Sequence, residues 1–105
     1  MDYKLKYLPE FTNDMNEIND YISINLENPS AAFKLTALVK EKCEHLKEMP
    51  RAHHLYQTPV PLEHEYRILS VNNYSVFYTV DDDNALISIH RILYNRQDFG
   101  GSIIA

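Results

Sequence analysis

The alternation of apolar and polar positions predicts a strand at the amino end of the chain, followed by a helix. Residues 3 to 7 read Tyr-Lys-Leu-Lys-Tyr, the period of two that is typical of a strand with one buried face. Pro9 ends this segment. Apolar residues then recur every three or four positions, which places them on one stripe of a helix: Phe11, Met15, Ile18, Ile22 and Leu26.

A second helix is predicted from Pro29 to Glu48. Asn28 suits the cap position, and Pro29 suits the first helical position because its missing N–H would have no helical partner there. Pro50 stops the helix. The predicted apolar stripe is Ala32, Leu35, Val39, Cys43, Leu46 and Met49. The short link between the two helices predicts an antiparallel hairpin.

Three strands are predicted after an irregular connection over residues 50–64, which contain three prolines and no clear period. They are Glu65–Val71, Tyr74–Asp81 and Ala85–Tyr94, with Asn72 and Asn73 forming a two-residue turn. Alternation gives the middle and last strands one apolar face each: Tyr74, Val76, Tyr78 and Val80, then Ala85, Ile87 and Ile89. The predicted fold class is α+β, with an N-terminal strand, the helical hairpin and a three-stranded antiparallel meander packed against the helices.

Composition favours one domain over residues 1–105. Hydrophobic content is 45% and charged content 24%, which lies in the ordinary globular range. No apolar run approaches the roughly 20 residues that span a bilayer, and residues 1–10 do not resemble a signal peptide. We therefore expect a cytoplasmic protein without a membrane partner. Cys43 is the only cysteine, and we interpret it as a buried core residue rather than a catalytic thiol.

The charge distribution restricts contacts with nucleic acid. The net charge is −5, and no Lys or Arg lies between Lys6 and Lys34. That segment instead carries five carboxylates: Glu10, Asp14, Glu17, Asp20 and Glu27. Neutralisation of phosphates supplies most of the affinity of a protein for nucleic acid. Any contact with nucleic acid is therefore expected to be confined to a small part of the surface, away from this segment.

No metal or cofactor site is predicted. The five histidines lack the paired spacings that bring two imidazoles to one ion. The two glycines lie near the end of the chain, so no glycine loop precedes a helix to hold phosphate. Tyr74 and Tyr78 are interpreted as core residues whose hydroxyls reach water.

Two arginines near the end of the last strand are the clearest candidates for chemistry. Arg91 and Arg96 stand close to Tyr94 and Asp98. A guanidinium group in such a place binds phosphate bidentately or pairs with a carboxylate, here Asp98 or Glu65. The sequence leaves both alternatives open.

The run from Glu65 to Phe99, "EYRILSVNNYSVFYTVDDDNALISIHRILYNRQDF", resembles the RelE/ParE family of toxins from bacterial type II toxin–antitoxin modules. The matching motifs are a Tyr-Arg strand, a "Y-x-V-x-Y-x-V" strand, an acidic turn and a closing "R-I/V-L-x-x-x-R-D". They are found here as Tyr66-Arg67, Tyr74 with Val76, Tyr78 and Val80, Asp81 to Asp83, and Arg91-Ile92-Leu93 with Arg96 and Asp98. The order of the upstream elements also follows the family.

The resemblance implies one of two activities. One branch of the family cuts messenger RNA on the ribosome, with basic residues and often a tyrosine or histidine stabilising the scissile phosphate and activating the 2′-hydroxyl. The other branch, that of ParE, blocks DNA gyrase. This chain has Ser75 where the first branch has a catalytic arginine, and only Arg51 where it has lysines. The remaining candidate catalytic residues are Arg67, Arg96, Tyr94 and His90.

For Arg67 the alternative is an ion pair with a neighbouring carboxylate. The implied partner is a cognate antitoxin that lays a helix or strand into an apolar groove. The implied assembly is a toxin–antitoxin hetero-oligomer or a homodimer of the toxin. Action on gyrase is slightly preferred over the ribosome and its messenger RNA, because of Ser75 and the acidic surface. A non-toxic interaction module with the same fold is the remaining alternative.

Overall fold

The computed structural model describes residues 2–57 and 62–95. Its elements are β1 (Lys4–Tyr7), α1 (Pro9–Asp20), a π-helical turn (Tyr21–Asn25), α2 (Pro29–His45), β2 (Arg67–Val71), β3 (Tyr74–Asp81) and β4 (Leu86–Tyr94). The strands form one sheet in the order β1-β4-β3-β2. β1 runs parallel to β4, and the other neighbours are antiparallel. The predicted α+β fold, with a helical hairpin and a meander, is confirmed.

The first helix ends earlier than its apolar stripe predicts. Phe11 and Met15 are buried, and Ile18 and Ile22 pack against the core. Beyond Asp20 the chain widens into the π-helical turn, where the Leu26 N–H donates to the carbonyl of Tyr21. The wider turn changes the spacing of the side chains, so Leu26 is 56% exposed. The prediction that Leu26 belongs to the buried stripe is wrong.

The second helix begins as predicted and ends three residues early. The Asn28 side chain accepts a hydrogen bond from the Ala31 N–H at 3.1 Å, with Pro29 at the first helical position. Five residues of the predicted stripe are buried: Ala32, Leu35, Val39, Cys43 and Leu46. After His45 the chain forms tighter turns whose N–H groups bond three residues back. Met49 therefore leaves the stripe and is 65% exposed, which corrects the prediction.

Burial of Cys43 confirms its interpretation as a core residue. Removal from water disfavours the thiolate and raises the pKa of the Cys43 thiol to about 12. Such a thiol is a poor nucleophile at neutral pH. Within the part of the chain that the structure describes, no helix is long and apolar enough to cross a membrane.

A β-bulge in β4 sets the direction of its side chains. Phe77 of β3 pairs with Arg91 and Tyr78 pairs with Ile89, so His90 is an extra residue without an opposite partner. The predicted core face of β3 is confirmed, and on β4 Ile87 and Ile89 line the core as predicted. Ala85 does not, because it precedes β4 in a turn with a positive φ of 49°. Beyond the bulge, the extra residue shifts the alternation by one, and Ile92 joins the same core cluster.

The connection after α2 wraps around the β2 edge of the sheet. On the helix side, the Tyr78 hydroxyl donates to the Pro50 carbonyl at 2.7 Å. On the opposite side, the Tyr56 ring packs edge-on against Phe77 at 5.3 Å between centroids. Between them Leu55 bridges to Arg67. Tyr78 is a core residue as predicted, but its hydroxyl bonds to protein rather than water, and burial raises its pKa to about 12.

A bidentate ion pair fastens α1 to β4. The Arg91 guanidinium donates to both carboxylate oxygens of Asp14, at 2.7 and 2.9 Å, and the Ile92 N–H donates to the same carboxylate at 3.2 Å. The Asp14 carboxylate raises the pKa of Arg91 further above its ordinary value. The sequence predicts that Arg91 binds phosphate or pairs with Asp98 or Glu65. Its partner is Asp14, 77 residues away in the chain.

We expect Asp14→Ala to lower the free energy of unfolding by about 2 to 4 kcal/mol, because it leaves a partly buried guanidinium group and the Ile92 N–H without their acceptor. Urea titration followed by circular dichroism measures this loss. Asp20→Ala removes an exposed carboxylate of the same helix and should change the stability by no more than about 0.5 kcal/mol. Equal effects from the two variants would contradict a stabilising role for the Asp14–Arg91 ion pair.

Candidate functional site

The structure separates the predicted catalytic residues into two places. Arg67 and His90 line a cleft of about 740 Å³ beside the connection and the turn after β3. Tyr94 lies in a different groove, between α1 and the far end of the meander. Arg96 lies outside the described residues, as does Asp98. The described candidates therefore do not converge on one point.

Arg67 holds the connection against the sheet. Its Nη1 donates to the carbonyl of His53 at 2.8 Å and to that of Arg51 at 3.3 Å. These carbonyls belong to irregular backbone and have no ladder partner that would otherwise satisfy them. The predicted ion pair between Arg67 and a carboxylate is wrong, since the observed acceptors are main-chain oxygens. A structural role for Arg67 follows directly from these contacts.

We call the cleft that Arg67 and His90 share the acidic cleft. Among its described lining residues are two guanidinium groups, those of Arg51 and Arg67, and five carboxylates: Glu63, Glu65, Asp81, Asp82 and Asp83. Arg51 pairs with Asp82 at 2.8 Å. The Tyr3 hydroxyl also donates to Asp82, at 2.6 Å. Together these two donors lower the pKa of Asp82, with Arg51 having the larger effect. The described lining has a negative formal charge.

His90 is enclosed by aromatic and polar neighbours. Its Nε2 lies 2.9 Å from the Thr79 hydroxyl, and its ring meets Tyr66 edge-on at 5.0 Å and His64 at 6.3 Å between centroids. Burial, followed by the nearby His64, lowers the pKa of His90, although Glu10 opposes the shift. The imidazole is therefore neutral at pH 7, a state in which it accepts a proton but adds no positive charge to the acidic cleft.

The second cavity, of about 840 Å³, we call the helix–sheet groove. Its walls come from α1 and the π-helical turn on one side and from the ends of β3 and β4 on the other, with Tyr21, Leu26, Tyr74 and Tyr94 among the lining residues. The rings of Tyr74 and Tyr94 meet at 5.5 Å between centroids. Tyr94 therefore lies in a largely apolar groove, apart from Arg67 and His90.

Ser75 occupies a structural position on β3. It is buried, and its hydroxyl donates to Oδ1 of Asn95 at 2.6 Å. Its paired neighbours in the sheet are Ser70 on β2 and Leu93 on β4. The hydroxyl thus holds the side chain of Asn95, the residue after β4. It is too short and too enclosed to replace a guanidinium group at a phosphate.

Sequence reasoning missed Asp14 and the residues that line the helix–sheet groove. The sequence places Asp14 among five acidic residues of one segment, and nothing local identifies a partner 77 residues away. A signal for the groove was present in Tyr21 and Leu26, which are large apolar residues next to a helix end. Among residues 2–57 and 62–95, no three His, Cys, Asp or Glu side chains are grouped to hold a metal ion.

Comparison with known proteins identifies the family. The family model described as "ParE toxin of type II toxin-antitoxin system, parDE" matches residues 5–99. No curated protein has a significant sequence match to the chain.

Solved structures share the fold. A chain of the chromosomal ParDE toxin–antitoxin system from P. aeruginosa is 22% identical with a TM-score of 0.70, covering 88% of this chain and 95% of that one. A chain of the toxin–antitoxin complex RelBE2 from Mycobacterium tuberculosis is 17% identical with a TM-score of 0.58, covering 90% and 99%. A mutant of the E. coli toxin RelE in the free state is 14% identical with a TM-score of 0.67, covering 99% and 95%.

The family match spans nearly the whole chain and agrees with the fold, so the chain belongs to the ParE toxins of type II toxin–antitoxin systems. It is a toxin of the ParE/RelE kind.

The lowered pKa of His90 predicts a loss of stability in acid. The unfolded chain takes up a proton near the ordinary value of 6.5, whereas the folded chain does so only at lower pH, so acid favours unfolding. Stability should be complete above about pH 6.5 and fall below it. His53, whose pKa is also lowered by burial, adds to the trend.

Urea titrations at about pH 7.5 and about pH 5.5 test this prediction. His90→Gln should lose less stability between the two than the wild type does. His45→Gln, at an exposed position at the end of α2, is the matched control and should behave as the wild type. A wild-type loss that His90→Gln leaves unchanged would show that another group is responsible.

Proposed function

We propose that this toxin stops growth by blocking DNA gyrase, and that it does not cut messenger RNA on the ribosome. It acts in the cytoplasm and is neutralised by a cognate antitoxin. The observation that carries the proposal is the acidic cleft, because it contains two of the three described candidate residues for RNA chemistry, Arg67 and His90. The match of the chain to ParE toxins supports the same choice, since the ParE branch acts on gyrase.

Electrostatics disfavour an RNA backbone in the acidic cleft. Five carboxylates line it against two guanidinium groups in the described lining, and the carboxylates act on a phosphate over roughly a Debye length of 8 to 10 Å. A nuclease needs the opposite field, because its donors must stabilise the negative charge that develops at the scissile phosphate. A protein target is free of this requirement.

The cations at the acidic cleft are already engaged. Arg51 pairs with Asp82, and Arg67 donates to two carbonyls. To bind a phosphate, each would have to give up these contacts. His90 is neutral at pH 7 and Tyr94 lies in the helix–sheet groove. The described lining of the acidic cleft thus lacks a preorganised group of cations around a proton acceptor.

An antitoxin partner is supported by the solved neighbours. One comes from a ParDE toxin–antitoxin system and another from a RelBE2 toxin–antitoxin complex. By analogy, the present chain pairs with the product of an adjacent gene in a hetero-oligomer, which hides the toxin until the antitoxin is lost.

Induction of the wild-type chain in a bacterium should stop DNA synthesis first, with messenger RNA intact. Incorporation of labelled nucleoside and labelled amino acid measures replication and translation separately, and northern blots measure transcript integrity. In a supercoiling assay, purified toxin should inhibit gyrase at stoichiometric concentrations. Heat-denatured toxin is the control.

The endonuclease alternative makes an opposite and specific prediction. Transcripts would be cut within seconds at ribosome-bound codons, and Arg96→Ala or Tyr94→Ala would stop the cutting while circular dichroism showed an unchanged fold. That result would overturn the proposal. With gyrase as the target, neither variant should change transcript integrity, because the wild type does not cut.

Co-expression of the adjacent gene should restore growth of cells that express this chain. An unrelated DNA-binding protein, expressed at the same level, should not. Harmless expression of the chain alone in several bacterial hosts would contradict the toxin function and favour the non-toxic interaction module.

A further inference from the structure

Large apolar side chains are exposed along the helix–sheet groove. Tyr21 is 54% exposed, Leu26 56% and Tyr94 39%, and all three line the groove. Ile24, on the same π-helical turn, is also exposed. The wider turn places Tyr21, Ile24 and Leu26 outside the core stripe of α1. A row of exposed aromatic and aliphatic groups on two walls of one groove is typical of a surface that binds another polypeptide.

The α1 wall of the groove is acidic. Asp14 and Glu17 line it, and Glu10 lies one turn before Asp14 on α1, so the three carboxylates follow one side of the helix. Arg91 is the sole cation in the described lining, and both oxygens of Asp14 already bind it. Glu10 and Glu17 also raise the pKa of Arg91, which places both carboxylates near it. Their negative charge exceeds the single positive charge that faces them.

From these two features we infer that the helix–sheet groove binds an antitoxin segment with apolar anchors and basic flanking residues. The apolar side chains fill the space between Tyr21, Leu26 and Tyr94, and lysine or arginine side chains pair with Glu10 and Glu17. This inference rests on the proposed antitoxin partner and adds the sign of its charge. A second copy of the toxin fits poorly, because a symmetric pair would bring the same acidic stripe against itself.

The test measures binding of the purified full-length toxin to the purified product of the adjacent gene by isothermal titration calorimetry, at about 50 mM and about 300 mM salt. Glu17→Lys should weaken binding about tenfold at low salt and less at high salt. Leu26→Ser should weaken it about tenfold at both, because it removes an anchor. Glu41→Lys, at an exposed position of α2 outside the groove, is the matched control and should stay within about twofold.

Reversing one basic residue of the antitoxin segment to Glu should weaken binding to the wild type and restore binding to the Glu17→Lys toxin. Tight binding that neither Glu17→Lys nor Leu26→Ser alters would overturn this inference while leaving the antitoxin partner in place. If the wild-type toxin binds no product of the adjacent gene, the antitoxin partner itself fails. A toxin dimer that Leu26→Ser dissociates would show that the groove is a homodimer interface and would likewise overturn the inference.

Discussion

The extra residue in β4 determines where both candidate surfaces lie. Because His90 has no opposite partner on β3, the alternation of the strand shifts at this point. Ile92 can then enter the core beside Ile89, and Arg91 reaches Asp14 on α1. His90 itself turns to Thr79 at the acidic cleft. Without the bulge, regular alternation would turn Arg91 and Ile92 to the faces of the sheet opposite to those they now occupy. The ion pair between Asp14 of α1 and Arg91 of β4 would then be lost.

The two surfaces have different physical characters. The acidic cleft is polar, and its arginines are held by internal acceptors. The helix–sheet groove is slightly larger in volume and more apolar, and the carboxylates that line it belong to α1. Two surfaces of such different character can bind different partners, because specificity depends on the difference in affinity for each partner. The fold supplies both surfaces from the same strand, β4.

The regular parts of the fold were predictable because their physical signals are local. The strand period, the cap at Asn28 and the stripe through Leu35 and Val39 all depend on residues a few positions apart. Leu26 and Met49 were misplaced because the backbone changes its helical period there, which the apolar spacing does not reveal. The partners of Arg67 and Arg91 were missed for another reason. One binds main-chain oxygens of an irregular segment, and the other binds a carboxylate brought close only by the complete fold.

The strand order also affects how this chain behaves once it is free of a partner. β1 is an outer strand of the sheet and has only four residues, two of which are the exposed lysines Lys4 and Lys6. A short outer strand with lysines resists the addition of another strand, because the incoming backbone gains few hydrogen bonds and has to desolvate ammonium groups. At the other outer strand, β2, the bridge from Leu55 takes up part of the backbone. Both outer strands of the sheet are thus protected against pairing with the strands of further chains.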